Sequence, residues 1–314
     1  GDDAAVLQNI PGTRLLAACD MLIEGRHFDL SSCTPRQLGW KALAVNLSDI
    51  AAMGGRPRWA LVSLGIKPEL KVSFVEEIYA GIAELAEIFG VIIVGGDTCS
   101  SPEHLVVDLC VLGEVNRADV AYRSGAREGD YLLVTGKLGA AAAGLTYLSA
   151  RDRFELEGAA ELLQAQLQPV PRVKEAAVLI RSGLVGAMND LSDGLASELH
   201  EIASASGCGA RIWADRLPIS PATALLARKL GVDPLTWALY GGEDYELLLT
   251  VCGGKGAPLK IRGLIRSLQR ATGTPLSLIG KMLPSVIGVQ IVGLDGETRP
   301  LLPEGYNHFR KNEI

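Results

Sequence analysis

Apolar and polar positions alternate along the first part of the chain in two rhythms, one strand-like and one helical. The apolar run at 15–18 predicts a buried strand that ends at Asp20. After a polar loop over 24–33, Thr34-Pro35 marks a helix start. The hydroxyl can cap, and a proline at the first helical position loses no hydrogen bond. Leu38, Ala42, Val45 and Ile50 then form an apolar stripe until Gly54-Gly55. A second helix over 72–89 turns Phe74, Ile78, Ile82, Leu85 and Phe89 inward and closes at Gly90. The strand predicted at 91–94 runs into Gly95-Gly96-Asp97-Thr98, whose glycines let a backbone approach a ligand at the strand's end. A long apolar strand covers 105–115. Strand, helix, helix, strand, strand predicts a mixed sheet covered by helices on one face.

The polar stretch 116–129 interrupts this pattern and predicts a boundary, with domains over 1–120 and 121–314. Beyond it come a strand at 131–135, the turn Gly136-Lys137-Leu138-Gly139 and an Ala-rich helix to about 148. That turn has neither G-x-x-x-x-G-K-[ST] nor G-x-G-x-x-G spacing, so it reads as close helix–sheet packing. Residues 151–171 read as a polar, exposed helix and linker, and 172–181 as a helix. Asn189-Asp190-Leu191-Ser192-Asp193-Gly194-Leu195 then opens a helix that runs to Gly207, with Ser192 or Asp193 as the expected N-cap. Strands at 209–213, 245–251, 277–279 and 286–292, helices at 220–230 and 259–272, and an aromatic tail at 305–309 complete the reading.

With 314 residues and 48% hydrophobic content, the chain can bury large cores and divides by length into about two domains. Mean hydropathy is +0.23, yet no apolar run approaches the ~20 residues of a membrane-spanning helix. The net charge of −6, without a Lys/Arg cluster in the sequence, argues against a nucleic-acid partner. The six cysteines form no C-x-x-C pair, which fits reduced thiols in a cytoplasmic protein. Because Gly1 stands inside a motif with no initiator Met, the natural N-terminus is expected to be missing.

Chemistry enters through the acids. Asp3, Asp20, Asp49, Asp97, Asp190, Asp193 and Glu243 stand in turns or at element ends, most of them beside Gly, Ser or Asn. Taken singly, each is an ordinary turn residue. Together they predict one acidic pocket that holds several hard divalent cations, since oxygen-only ligands select magnesium over zinc. Asp49 sits near a helix C-terminus, where the helix dipole disfavours an anion and a cation would explain it. Magnesium sites are commonly completed by substrate phosphates, which points to nucleotide chemistry, with Arg123 or Lys41 as supporting cations. No Ser-His-Asp or Cys-His arrangement stands out among four histidines.

Seven segments in this order resemble the thiamine-monophosphate kinase family, within the superfamily of aminoimidazole ribonucleotide and selenophosphate synthetases. They are Gly1-Asp-Asp-Ala-Ala-Val6, Asp20-Met-Leu-Ile-Glu-Gly-Arg-His-Phe28, the stretch from Lys41 through Asn46-Leu-Ser-Asp49 to Gly54, Gly95-Gly-Asp-Thr98, Arg123-Ser-Gly-Ala-Arg-Glu-Gly-Asp130, Asp190-Leu-Ser-Asp-Gly-Leu195 and Gly241-Gly-Glu-Asp-Tyr-Glu-Leu247. The resemblance implies an α+β fold of two domains. The N-terminal one would bind ATP and magnesium and pair its sheet across a homodimer into a barrel. The C-terminal one, an α/β/α layered domain, would complete the ATP and substrate site.

It implies a transferase that phosphorylates thiamine phosphate to thiamine diphosphate by in-line transfer from ATP, with no residue needed as general base. Asp3, Asp20, Asp49, Asp97, Asp190 and Asp193 would bind magnesium. Gly96, Asp97, Arg123, Ser192 and Tyr79 would contact ATP, and His27, Glu243 and Tyr306 would hold thiamine phosphate. The chain departs from the family pattern in having Ala18-Cys19 before Asp20, where hydroxyl residues are usual. Cys99-Ser100 likewise replaces the usual hydroxyl residue and arginine after Gly-Gly-Asp-Thr. Two alternatives stand beside the kinase: another ATP-using enzyme of the aminoimidazole ribonucleotide synthetase type, and a non-catalytic nucleotide or magnesium sensor.

Overall fold

The structure, a computed structural model, describes residues 5–7, 11–150 and 154–306. The chain divides into two compact units, one over 1–122 with 167–181, the other over 123–166 with 182–314. Leu167–Arg181, inside the span expected to be a continuous second domain, therefore clusters with the first unit.

In the first unit, strands β1 (Ala5–Leu7), β2 (Thr13–Ile23), β3 (Arg56–Ile66), β4 (Ile92–Ser100) and β5 (Val106–Asn116) lie in the order β1-β2-β5-β3-β4. Neighbours are antiparallel except β3 and β4, so the sheet is mixed. Burial alternates strictly along β5, the mark of a sheet with one covered face. Helix α1 (Pro35–Ala52) packs on the sheet, and α2 (Val72–Phe89) packs on α1. The two helices pass closely because Gly39 and Gly81 face each other's backbones; a Cβ on either would lie 1.9 Å from a carbonyl oxygen. Thr34 caps α1 in a capping box with Gln37, and Gly90 ends α2 in the left-handed conformation, as the sequence signals require. Helix α5 (Val173–Arg181) also packs on α1, and the indole Nε1 of Trp40 donates to the carbonyl of Pro169 at 2.8 Å.

Two features differ from the sequence expectation. β3 was not foreseen, because its apolar positions are interrupted by Arg58, Ser63 and Gly65 and it follows the helix after only three residues. Gly95-Gly96-Asp97-Thr98 also lies inside β4 rather than in a turn beyond it. Parallel pairing with β3 carries the strand through both glycines; a Cβ on Gly96 would stand 1.8 Å from the carbonyl oxygen of Val62.

The second unit is built on a seven-stranded sheet. Its strands are β6 (Tyr131–Thr135), β7 (Val185–Asp190), β8 (Cys208–Trp213), β9 (Leu247–Val251), β10 (Leu276–Pro284), β11 (Val289–Val292) and β12 (Thr298–Pro300), in the order β12-β11-β8-β10-β6-β9-β7. Helices α3 (Ala140–Ala150), α4 (Ala159–Leu167), α6 (Leu195–Ser206), α7 (Pro221–Leu230), α8 (Pro234–Tyr240) and α9 (Ala257–Thr272) accompany it. β6 and β9 are buried almost throughout, as expected of inner strands. α4, expected to be exposed, buries Leu162 and Gln166 against its neighbours. Gly144 lets it approach α3, since a Cβ there would lie 2.2 Å from the Leu162 carbonyl oxygen. The short helix α8 escaped the sequence reading because seven residues are too few for a helical period to show.

Candidate active site

The Asp190–Leu195 segment leaves β7 and enters α6, but neither expected side chain caps the helix. The N-cap is Gly194, at φ 114°, with no side-chain cap bond. The polar groups of the turn are committed elsewhere. Three successive carbonyls are tied across the unit: that of Leu191 accepts the N–H of Tyr245 at 2.9 Å, that of Ser192 the N–H of Glu243 at 2.6 Å, and that of Asp193 the N–H of Tyr306 at 3.2 Å. The amide of Leu191 donates in return to the carbonyl of Glu246 at 2.9 Å. Two glycine neighbours are required for this lacing, since a Cβ on Gly242 would meet the Ser192 oxygen at 2.7 Å and one on Gly305 the Asp193 oxygen at 2.6 Å. Ser192, Asp193, Glu243 and Tyr306 are therefore brought together by backbone bonds, although 114 residues separate the first from the last.

Glu243 and Tyr245 have φ of 59° and 49°, left-handed values that non-glycine residues adopt at a cost and that cluster at functional sites. The Nε2 of Gln166 donates to Glu243 Oε2 at 2.8 Å. Between these two residues, Asp244 turns inward and its carboxylate accepts the amides of Gly139 at 2.7 Å and Ala141 at 3.3 Å. The Gly136–Gly139 turn and the start of α3 are thus pinned to the acidic loop. Burial pushes the Asp244 carboxyl up to about 7, against those amides, which favour the ionised form.

Beside Asp190 lies a second network. Asn189 is fully buried; its Nδ2 donates to Glu198 and, at 3.3 Å, to Glu201, while its Oδ1 accepts Nε of Arg123 at 3.0 Å. Arg123 also pairs with Glu201 at 3.0 Å, and Ser192 Oγ donates to Glu198 at 3.2 Å. Burial, then the charges of Glu201 and Asp190, push the Glu198 carboxyl up to about 9. The sequence reading missed Asn189, Glu198 and Glu201. The available signal was two glutamates three apart on a helix whose face is otherwise apolar.

In the first unit, Asn46 is the organiser. Its Oδ1 accepts the amide of Asp20 at 3.1 Å and its Nδ2 donates to Ala42 one turn back, which holds β2 against the helix that carries Asp49. Asp20 follows the helix-facing row Leu16, Ala18 and Leu22, whereas Asp97 is exposed on β4 in register with Ser63. Tyr79 is half-buried against the core of this unit. The tautomer of His27 is set by the backbone: Nδ1 accepts the amide of Ile23 at 2.9 Å, so the neutral ring carries its hydrogen on Nε2. Glu24, a further residue the sequence reading left out, binds Lys67 Nζ at 2.8 Å and the amide of Leu105 at 2.9 Å and fixes the loop that presents His27.

Asp3 lies outside the described residues. Among the described residues, no group of three or more His, Cys, Asp or Glu side chains is close enough to hold a metal by itself. No described helix is long and apolar enough to cross a membrane.

Comparison with known proteins identifies the family. The models for the N-terminal and C-terminal domains of AIR synthase related proteins match residues 1–115 and 127–257. Thiamine-monophosphate kinase of Bacillus subtilis (strain 168) is 36% identical over 315 residues, covering 99% of this chain and 93% of its own length. That of Salmonella typhimurium is 39% identical over 311 residues, covering 98% and 91%. A solved structure described as AaThiL complexed with AMPPCP and TMP superposes with a TM-score of 0.84 at 32% identity, covering 98% of this chain and 91% of that one. The α+β architecture, the two matched domains and full-length identities above 30% place this chain in the thiamine-monophosphate kinase family of AIR synthase related proteins.

Proposed function

We propose that this chain transfers the γ-phosphate of ATP to thiamine phosphate, giving thiamine diphosphate. One observation carries most of the reading: the lacing of residues 191–193 to 243–245 and 306, which brings Ser192, Asp193, Glu243 and Tyr306 into one place. A relative's complex with AMPPCP and TMP supports the choice of substrates.

The acceptor is a phosphate oxyanion, so no proton has to be removed from it and no general base is assigned. The obstacle is repulsion between two polyanions, and positioning with electrostatic compensation is the remedy. Arg123, held by Asn189 and Glu201, presents a fixed guanidinium to the nucleotide phosphates. Ser192, Gly96, Asp97 and Tyr79 complete the ATP contacts. His27, with its hydrogen on Nε2, donates to the acceptor phosphate, while Glu243 and Tyr306 hold the thiamine portion.

The donor set fits a hard cation. The side chains of Asp20, Asp49, Asp97, Asp190 and Asp193 offer carboxylate oxygens, the hard donors that magnesium takes. These five residues, with Asp3, would hold magnesium, which supplies charge neutralisation at the phosphates and alignment for in-line transfer. In the first-unit sheet Met21, Leu61, Ile92 and Val94 are exposed, apolar surface that suits a second copy of the chain. We place the protein in the cytoplasm as a homodimer.

The test is incubation with ATP, magnesium and thiamine phosphate, scored chromatographically for thiamine diphosphate. Product in proportion to enzyme supports the reading. Tight nucleotide binding without product over hours would point to a sensor. Turnover of ATP only with a formylglycinamidine-type ribonucleotide would point to the synthetase chemistry.

A further inference from the structure

The amide oxygen of Gln166 is a buried acceptor that meets no donor among the described residues. Gln166 stands on the last turn of α4, only 4% exposed; its Nε2 donates to Glu243 Oε2 at 2.8 Å, and its Oε1 has no hydrogen-bond partner among the described residues. Buried carbonyl oxygens almost always meet a donor, so one that does not calls for a reason. Reversing the amide is no remedy. It would set Oε1 against the Glu243 carboxylate, an acceptor against an acceptor, so Glu243 itself fixes which way the group points.

The helix is built to put Gln166 there. α4 crosses α3 at Gly144, where a Cβ would stand 3.0 Å from the Gln166 Cβ as well as striking the Leu162 carbonyl. The close crossing seats the amide beside the Glu243 carboxylate, on a residue already held in a left-handed backbone at φ 59°. One strained residue, one charge and one uncommitted acceptor thus occupy a single spot.

We infer that Gln166 is a positioning and specificity residue of the acceptor site, orienting Glu243 through Nε2 and offering Oε1 to an N–H group that arrives with the substrate. The inference rests on the reading of Glu243 as an acceptor-binding residue. A carboxylate paired with a neutral carbonyl oxygen suits a ligand that carries both a positive charge and amino hydrogens. Thiamine phosphate has both, in its thiazolium ring and its aminopyrimidine; ATP has an amino group but no cationic ring. An analogue that lacks the amino group leaves Oε1 without a donor, so the contact discriminates against it.

Gln166→Met keeps the length of the side chain and its helix propensity while removing both donor and acceptor. Steady-state kinetics would give KM for thiamine phosphate and for ATP separately, calorimetry would give the Kd for thiamine phosphate without ATP, and thermal melting would report the fold. The expected result is a tenfold or greater rise in KM and Kd for thiamine phosphate, KM for ATP within twofold of the wild type, and a melting temperature equal or higher because a buried orphan acceptor is gone. KM and Kd for thiamine phosphate within twofold of the wild type would overturn the inference. So would a parallel rise in both KM values, or a lower melting temperature shared by Gln166→Leu, since either outcome marks a structural residue. If the wild type makes thiamine diphosphate and Gln166→Met behaves like it, this inference alone fails; if the wild type makes none, the functional reading fails and takes this one with it.

Discussion

The amide of Glu243 donates to the carbonyl of Ser192 at 2.6 Å while Glu243 sits at φ 59°, so the tightest backbone bond between the two acidic loops is made by a residue in an unfavourable conformation. A left-handed backbone costs a non-glycine residue about 1–2 kcal/mol, and glycine would relieve it. That glutamate stands there instead indicates that the side chain is needed more than the relief. Glu243→Gly is therefore expected to melt at the same temperature as the wild type or slightly higher, and to lose at least a hundredfold in kcat/KM for thiamine phosphate. A stable variant with normal kcat/KM would show that the carboxylate has no part in binding.

Asp190 is buried at the end of β7 beside Asn189 and Glu198, where burial, then the charges of Glu201 and Asp190, push the Glu198 carboxyl up. Asp190→Asn keeps the shape and removes a charge that a cation would need. Loss of a preorganised electrostatic partner typically costs on the order of 100- to 1,000-fold in kcat, and the same is expected here with circular dichroism unchanged. Asp49→Asn, in the first unit, should fall similarly. Near-normal turnover in both variants would end their assignment as magnesium ligands.

Gly96 is pressed against the Val62 carbonyl, where an added Cβ would stand 1.8 Å from a backbone oxygen that cannot swing away. Gly96→Ala must therefore separate β3 from β4 around Asp97. Overpacking of this kind costs roughly 1–3 kcal/mol or more, readable as a lower midpoint in urea. Faster amide exchange along 92–100, with the second unit unaffected, would locate the damage. An unchanged midpoint would show that the strand pairing there is looser than the register indicates.

Glu24 gives a pH dependence whose sign is fixed. Burial opposes its ionisation, but the amide of Leu105 and the ammonium of Lys67 outweigh that and hold its carboxyl below the ordinary 4.5. In acid the unfolded chain binds the proton more readily than the folded one, so the stabilisation is present above about 4.5 and is lost as the pH falls through the lowered folded value. Glu24→Gln should therefore melt below the wild type at pH 7, with the gap closing as the pH drops beneath that range. A gap of constant size from pH 7 to pH 3 would show that the ion pair is not its source.

Much of the first unit could be read in advance because its signals are local. Thr34-Pro35 with Gln37 is a capping box written in four letters, and Gly90 ends α2 by a backbone conformation that glycine alone adopts cheaply. Gly-Gly-Asp-Thr misled because glycine marks both turns and close strand approach. Which one holds depends on the partner strand β3, which gave no period of its own. The choice of Ser192 or Asp193 as N-cap failed for a similar reason. Their groups are drawn to Glu198 and to the loop at 243–245, competitors that lie far along the chain.

The sequence by itself determined most of the longer helices, the two-unit scale of the chain and the acidic motifs, since caps, apolar periods and residue identity act over a few neighbouring positions. Only the tertiary structure decided that the carbonyls of 191–193 would be spent on 243, 245 and 306, that Asn189 would join Arg123 to Glu198 and Glu201, and that a glutamine from α4 would stand beside Glu243 with its oxygen unmatched. Hydrogen bonds between distant segments, and the burial that shifts carboxyl groups such as Glu198, exist only once the whole chain has excluded water around them.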